Sequence, residues 1–121
     1  RAGRRVAAAA VLALAVLAVP NAVQAAPVRW SGPCHAAVDR YWPAPLRARA
    51  HYIVNRESRG IPTAANPRSS ARGCFQMLLR FSSPFYRRVG CSNALWRSAT
   101  CNVRAAYQLY RVAGWSPWRV R

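Results

Sequence analysis

Acidic residues are nearly missing from this sequence. Of 121 residues only Asp39 and Glu57 carry a carboxylate side chain, against 19 basic residues, all of them arginine, for a net charge of +17. A site built on two carboxylates is therefore restricted to that one pair. No Gly-rich phosphate-binding fingerprint occurs, which argues against a nucleotide-dependent α/β enzyme. There is no C-x-x-C, and His35 and His51 stand at no ligand spacing from a second pair, so neither a structural zinc nor another metal cofactor is expected. No Asn-Gly or similar hairpin signal appears. Low hydrophobicity is missing too: 53% of the residues are apolar, too many for a disordered basic tail. The length allows one small domain.

The one long apolar run lies near the start. Arg1, Arg4 and Arg5 precede Val6–Val19, which contains only Ala, Val and Leu; Pro20 follows, and then small residues around Val23-Gln24-Ala25. A basic start, an apolar stretch and a small-residue site describe an export signal over residues 1–25. The run is shorter than the roughly 20 residues that cross a bilayer, which disfavours a membrane anchor. The expected working domain is 30–121, secreted or held at the cell wall.

All four cysteines, Cys34, Cys74, Cys91 and Cys101, lie in that domain. An even count in a short exported chain reads as two disulfides. The arginines form no dense block, and Arg87-Arg88 is the only adjacent pair after residue 5. A nucleic-acid binder concentrates its charge on one face. A dispersed cationic shell on an exported protein fits an anionic wall or membrane surface better, with no nucleic-acid partner.

Helical spacing is the clearest local signal. Cys34–Tyr41 has Ala37, Val38 and Tyr41 at helical intervals, and Pro43 and Pro45 close it. A helix over 46–59 follows, with Pro45 in its first turn, Leu46, Ala50, Ile53, Val54 and Glu57 on one face, and Gly60 as its cap. Glu57, the only Glu, ends an apolar stripe. A carboxyl partly withdrawn from water is what a general acid requires. Arg56 and Arg59 project about 100° and 200° away on the helical wheel, so pairing with Glu57 is not required. The competing reading is an ordinary surface Glu–Arg pair. Asn66–Gly73 reads as a turn-rich loop. Cys74–Leu79 reads as a short buried helix with one embedded polar residue, Gln76, which must find hydrogen-bond partners in the backbone or in a ligand. A further helix runs over about 102–112.

Three blocks carry a family resemblance. Asn55-Arg56-Glu57-Ser58-Arg59-Gly60 and Asn66-Pro67-Arg68-Ser69-Ser70-Ala71-Arg72-Gly73-Cys74-Phe75-Gln76 resemble the E-S-x-G … N-P-x-S-x-A-x-G-L-x-Q signature of soluble lytic transglycosylase-like domains, relatives of goose-type lysozyme. Cys101–Tyr110 is similar to that family's N-I-x-x-A-x-x-L helix, and Gly114-Trp115-Ser116-Pro117-Trp118 to the ending of its small secreted members. The resemblance implies a mainly α, single, small lysozyme-like domain with disulfides that acts as a monomer on peptidoglycan glycan strands. It implies Glu57 as the catalytic acid/base, Ser58 as the residue that orients its carboxylate, and Gln76 and Tyr107 along the glycan cleft. It implies cleavage of the MurNAc–GlcNAc β-1,4 bond by a non-hydrolytic route ending in a 1,6-anhydro sugar, without a cofactor. Cys74 departs from the family's Leu, and the family's later A-Y-N block is missing. Most of the ten Trp and Tyr residues belong to a core; Trp115 and Trp118, beside Gly114 and Pro117, are the best candidates for stacking on sugar.

Two alternatives stand beside this reading: a hydrolytic, lysozyme-type enzyme, and a non-enzymatic cationic wall-binding or antimicrobial protein. The four cysteines allow three pairings. Cys91 and Cys101 close the shortest loop, which favours Cys91–Cys101 and leaves Cys34 for Cys74.

Overall fold

Prolines and glycines set the limits of most helices in the computed structural model, which describes Gly3 and residues 28–119. The expected export signal lies outside the described residues, Gly3 apart. Helix α1 spans Pro33–Tyr41 and starts with Pro33 in its first turn. It stops at Trp42, whose extended backbone (ψ 141°) is what a following proline imposes. Helix α2 spans Ala44–Ser58, with Pro45 in its first turn as expected. It ends on Arg59 in the left-handed region (φ 52°), one residue earlier than the expected Gly60 cap. Gly60 is also left-handed, and a side chain there would press on the His35 ring.

The segment expected as a helix over Cys74–Leu79 is instead a hairpin. Strand β1 (Ala71–Arg72) pairs antiparallel with β2 (Met77–Leu78), Ala71 opposite Leu78 and Arg72 opposite Met77. Gly73 (φ 80°) and Gln76 (φ 50°) bracket the turn, and two left-handed residues so close together cannot be helical. The apolar density that suggested a helix is burial of the turn itself: Cys74 and Phe75 are fully buried and Met77 nearly so. Helix α3 (Leu79–Arg88), with Pro84 inside it, was not marked by periodicity. A 3-10 turn at Asn93–Leu95 leads to helix α4 (Ala99–Ala113). The Ser98 hydroxyl caps α4 by accepting from the Cys101 N–H, and left-handed Gly114 closes it.

The domain is thus mainly helical, small and cross-linked twice, by Cys34–Cys74 and Cys91–Cys101. Both pairings are the ones that loop length favoured, and no described cysteine is free to ligate a metal. No helix among the described residues is long and apolar enough to cross a membrane.

The core is aromatic. Trp42 is 1% exposed, stacks on Phe75 at 5.1 Å and on Trp115 at 5.6 Å, and donates its indole N–H to the Val103 carbonyl on α4. Asn102, fully buried, is a polar hub: its Oδ1 accepts from Phe75 N–H at 2.9 Å, and its Nδ2 donates to the Arg72 carbonyl and the Tyr86 hydroxyl. Burial pushes the Tyr86 phenol up to about 12, against the opposing effect of the Asn102 bond. Gly73 is needed beneath this hub, because a Cβ there would lie 2.4 Å from Asn102 Nδ2.

A second polar cluster joins α1 to α2. His35 and His51 face each other Nδ1 to Nδ1 at 2.8 Å, His51 Nε2 lies 2.7 Å from Asp39 Oδ1, and Trp30 stacks over both rings. A contact between two Nδ1 atoms holds only while one of them lacks a proton. Burial lowers His35 from its ordinary 6.5, the neighbouring His51 adds to the drop, and Asp39 opposes it. The unfolded chain therefore binds the proton first, so stability falls as pH drops below about 6.5 and toward the folded His35 value. We expect the melting temperature to decline just below that pH, with a shallower decline for His35→Gln. Parallel declines in the two proteins would contradict this role for His35.

Candidate active site

Glu57 lies on the last turn of α2, but the buried stripe does not run through it. The continuation from Ala50 and Val54 is Ser58, which is 5% exposed, while the Glu57 side chain keeps 28% exposure at the rim. Two expectations change as a result, both toward the competing reading of a Glu–Arg pair. Glu57 is less withdrawn from water than its place in the stripe implied. It also pairs with Arg56, whose Nη2 lies 2.7 Å and Nε 3.2 Å from Glu57 Oε1. The helical wheel separated the two Cβ directions, yet the long guanidinium stem folds back across that angle. Arg56 also donates to the Trp118 carbonyl, so the residue holding the carboxylate is itself tied to the chain's closing 3-10 turn, Ser116–Trp118. Among the described residues Glu57 Oε2 has no hydrogen-bond partner.

A groove of about 520 Å³ opens at this carboxylate, lined by Arg56, Glu57, Asn66, Gln76, Pro117 and Trp118 among others. Gln76, Leu78, Pro117 and Trp118 continue into an adjoining apolar pocket of about 190 Å³ whose far walls include Met77, Phe81, Phe85 and Leu109. The first volume falls within the range of small-ligand sites. The cleft thus has a polar arm with one carboxylate and an apolar arm walled by aromatic rings.

The residues implied by the family resemblance divide in two. Glu57 and Gln76 come together in the groove. Ser58 does not orient the carboxylate: its hydroxyl sits 2.8 Å from the Cys74 carbonyl and 3.0 Å from that of Val54, and accepts from Gly60 N–H. It joins the end of α2 to the hairpin turn. Tyr107 packs on Trp42 and Tyr110 and opens toward Arg88 and Arg104, and it does not line the groove. Trp115 is also elsewhere, covering Trp42 with Arg49 above its ring. Trp118 takes its place at the groove. Its indole N–H donates to the Phe75 carbonyl, and it is 6% exposed, so it forms a wall more than an open stacking platform.

Sequence reasoning missed Arg56 and Asn66 as groove residues. Asn66 was quotable only as part of a motif, and its Oδ1 caps the loop by accepting from Arg68 N–H. Asp39, the other acid, accepts from His51 and lines no part of the groove. The described cleft therefore contains one carboxylate.

Comparison with protein-family models, with curated proteins and with solved structures finds no match. The chemistry of the site must be read from its own residues.

Gln76 is the most constrained of them. Its left-handed backbone is costly for any residue with a Cβ. Its side-chain Nε2 donates to the Ala64 and Gly73 carbonyls, both at 3.0 Å, and fastens the turn. Gln76→Ala loses both bonds and keeps the strain, whereas Gln76→Gly loses the bonds and relieves it. We expect the Gly variant to be more stable than the Ala variant by about 1 kcal/mol in denaturant unfolding. An Ala variant as stable as the Gly variant would show that the turn does not require this conformation.

Proposed function

We propose that the protein is a secreted, peptidoglycan-cleaving lytic transglycosylase whose single catalytic acid/base is Glu57. The observation that carries this reading is the solitary carboxylate in a groove that also offers Asn66 and Gln76, with the chain's only other acid engaged by a histidine elsewhere. Paired-carboxylate glycosidases place a second acid about 5–9.5 Å from the first. A one-acid groove suits a route in which the same carboxyl acts twice. The motif resemblance around Glu57 and Gln76 supplies the substrate class, and the two disulfides suit the oxidising conditions outside the cell.

In this mechanism protonated Glu57 donates to the glycosidic oxygen as the C1–O bond breaks, and the GlcNAc end leaves with its hydroxyl restored. The acetamido group of MurNAc stabilises C1. Glu57, now ionised, removes the C6 hydroxyl proton as that oxygen bonds to C1, giving the 1,6-anhydro end and regenerating the acid. No water is consumed. Arg56 holds Oε1 by two bonds and leaves Oε2 for the travelling proton. Its third bond, to the Trp118 carbonyl, keeps the guanidinium, and with it the carboxyl, from swinging out of the groove. Gln76, fixed through Nε2, presents its remaining carbonyl oxygen as an acceptor for a sugar hydroxyl.

The excess of arginine favours a second reading, a cationic wall-binding protein with no catalysis. Glu57→Gln separates the two. General acid–base catalysis contributes about 10²–10⁴-fold, so we expect clearing of purified cell walls to fall by at least about a hundredfold. Gln keeps an oxygen that can accept from Arg56, so the cost of losing this partly exposed ion pair should stay within about 1 kcal/mol and the melting temperature should fall by no more than a few degrees. Clearing that survives Glu57→Gln but disappears at 1 M salt, where the Debye length is about 3 Å, would select the binder instead.

A further inference from the structure

We propose that a second site lies on the face formed by α3 and α4: an arginine-lined trough that binds a linear phosphate polymer through its charged backbone. Two adjoining depressions share Arg88 and Gln108. One is completed by Arg111 and Val112, the other by Tyr41, Val89, Arg104 and Tyr107. Arg104, Gln108 and Arg111 stand at helical intervals of four and three along α4, so they fall on one face. Arg88, the last residue of α3, contributes from the opposite wall.

Three observations point to a ligand here. First, among the described residues these guanidinium groups have no counter-ion. The chain has two acids, Asp39 is engaged by His51, and Glu57 by Arg56. Second, the groups are held in place while most of their donors stay free. Arg104 lies over the Tyr41 ring at 5.2 Å and Arg88 over Phe85 at 5.3 Å. Among the described residues neither has a side-chain hydrogen bond, and Arg111 has only a 3.5 Å contact with Gln108 Oε1. Stacking fixes a guanidinium plane and leaves its N–H edge available for a bidentate oxyanion. Third, the trough is long. Arg104 and Arg111 are about 10 Å apart along the helix axis, more than one tetrahedral anion spans. Successive oxyanions on a chain fit that row, whereas a free phosphate fits one end of it. Of the two aromatic rings that line the trough, Tyr107 is packed on Trp42 and Tyr110, and Tyr41 already lies against the Arg40 and Arg104 guanidinium groups, so neither offers a free face for stacking a nucleobase. This favours a phosphodiester backbone without bases. The proposal does not depend on the role of Glu57, which lines a different groove.

The test is binding of fluorescent poly(glycerol phosphate) to the full chain across a salt series. We expect Arg88→Gln/Arg111→Gln to weaken binding by about tenfold or more and to flatten the salt dependence by about two phosphate contacts. Arg68→Gln/Arg97→Gln removes the same charge from exposed positions outside the trough and should change affinity by about twofold or less. Arg88→Lys/Arg111→Lys, which keeps the charge and is expected to fold normally, should also weaken binding because the fork is lost. Inorganic phosphate at equal phosphate concentration should compete poorly. Equal losses in the two Gln pairs, tighter binding of single-stranded DNA than of poly(glycerol phosphate), or no binding of the polymer would each overturn the proposal.

Discussion

The turn between Arg72 and Gln76 is held from four directions, and the rest of the domain is arranged around it. The Cys34–Cys74 bridge ties it to α1, and the Ser58 hydroxyl ties the Cys74 carbonyl to α2. Asn102 on α4 takes the Phe75 N–H and the Arg72 carbonyl, and the Trp118 indole takes the Phe75 carbonyl. Phe75 itself stacks on Trp42 in the middle of the core. A buried turn cannot satisfy its backbone with water, so each of these partners removes a desolvation cost as well as adding a contact. A chain with so few acids cannot rely on ion pairs for cohesion, and a core this small gains about 2–4 kcal/mol from each disulfide.

The same constraint positions the proposed chemistry. Glu57 and Ser58 are consecutive: one faces the groove and the other is bonded to the turn. Any rotation of the last turn of α2 that moved Glu57 would break the Ser58–Cys74 contact. On the opposite wall, Gln76 is the final residue of the turn and Trp118 is bonded to its centre. The carboxylate, the amide and the indole are thus fixed to one backbone segment, although they come from α2, the hairpin and the C-terminal 3-10 turn. A proton donor that must meet a glycosidic oxygen and then a second hydroxyl needs this fixed geometry.

What could be read from sequence follows the physics of each element. Helices α1, α2 and α4 are legible through their apolar intervals, with Pro43 and Pro45 marking where the first gives way to the second. Pro33 in the first turn of α1, the Ser98 and Gly114 caps, and with Ser98 the start of α4 at Ala99 in place of about 102, appear only in the structure. The disulfide pairing follows from loop length. The hairpin was hidden because Gln76 takes a left-handed backbone that its residue type gives no sign of, and because a buried turn is as apolar as a buried helix. Glu57 and Gln76 were legible as polar residues in apolar settings. The Arg56–Glu57 pair was not, because a helical wheel locates Cβ atoms and says nothing of where a long side chain folds. Tyr107 does not reach the groove for a related reason: the spacing within α4 is visible in sequence, whereas the side of the bundle on which its aromatic face lands depends on how α4 packs against α1. Trp115 lies past the end of α4, beyond Gly114, where helical spacing gives no direction. The His35–His51–Asp39 cluster could not be assembled from spacing alone, since it requires α1 and α2 to meet.

In the proposed reaction one carboxyl group, acting without water, cleaves the glycan. Mass analysis of the soluble fragments released from purified peptidoglycan tests it most directly. Transglycosylation would leave muramoyl ends lighter by one water than a hydrolysed product, carrying a 1,6-anhydro ring and no reducing group. Fragments with free reducing MurNAc ends would contradict it and assign the groove to hydrolysis.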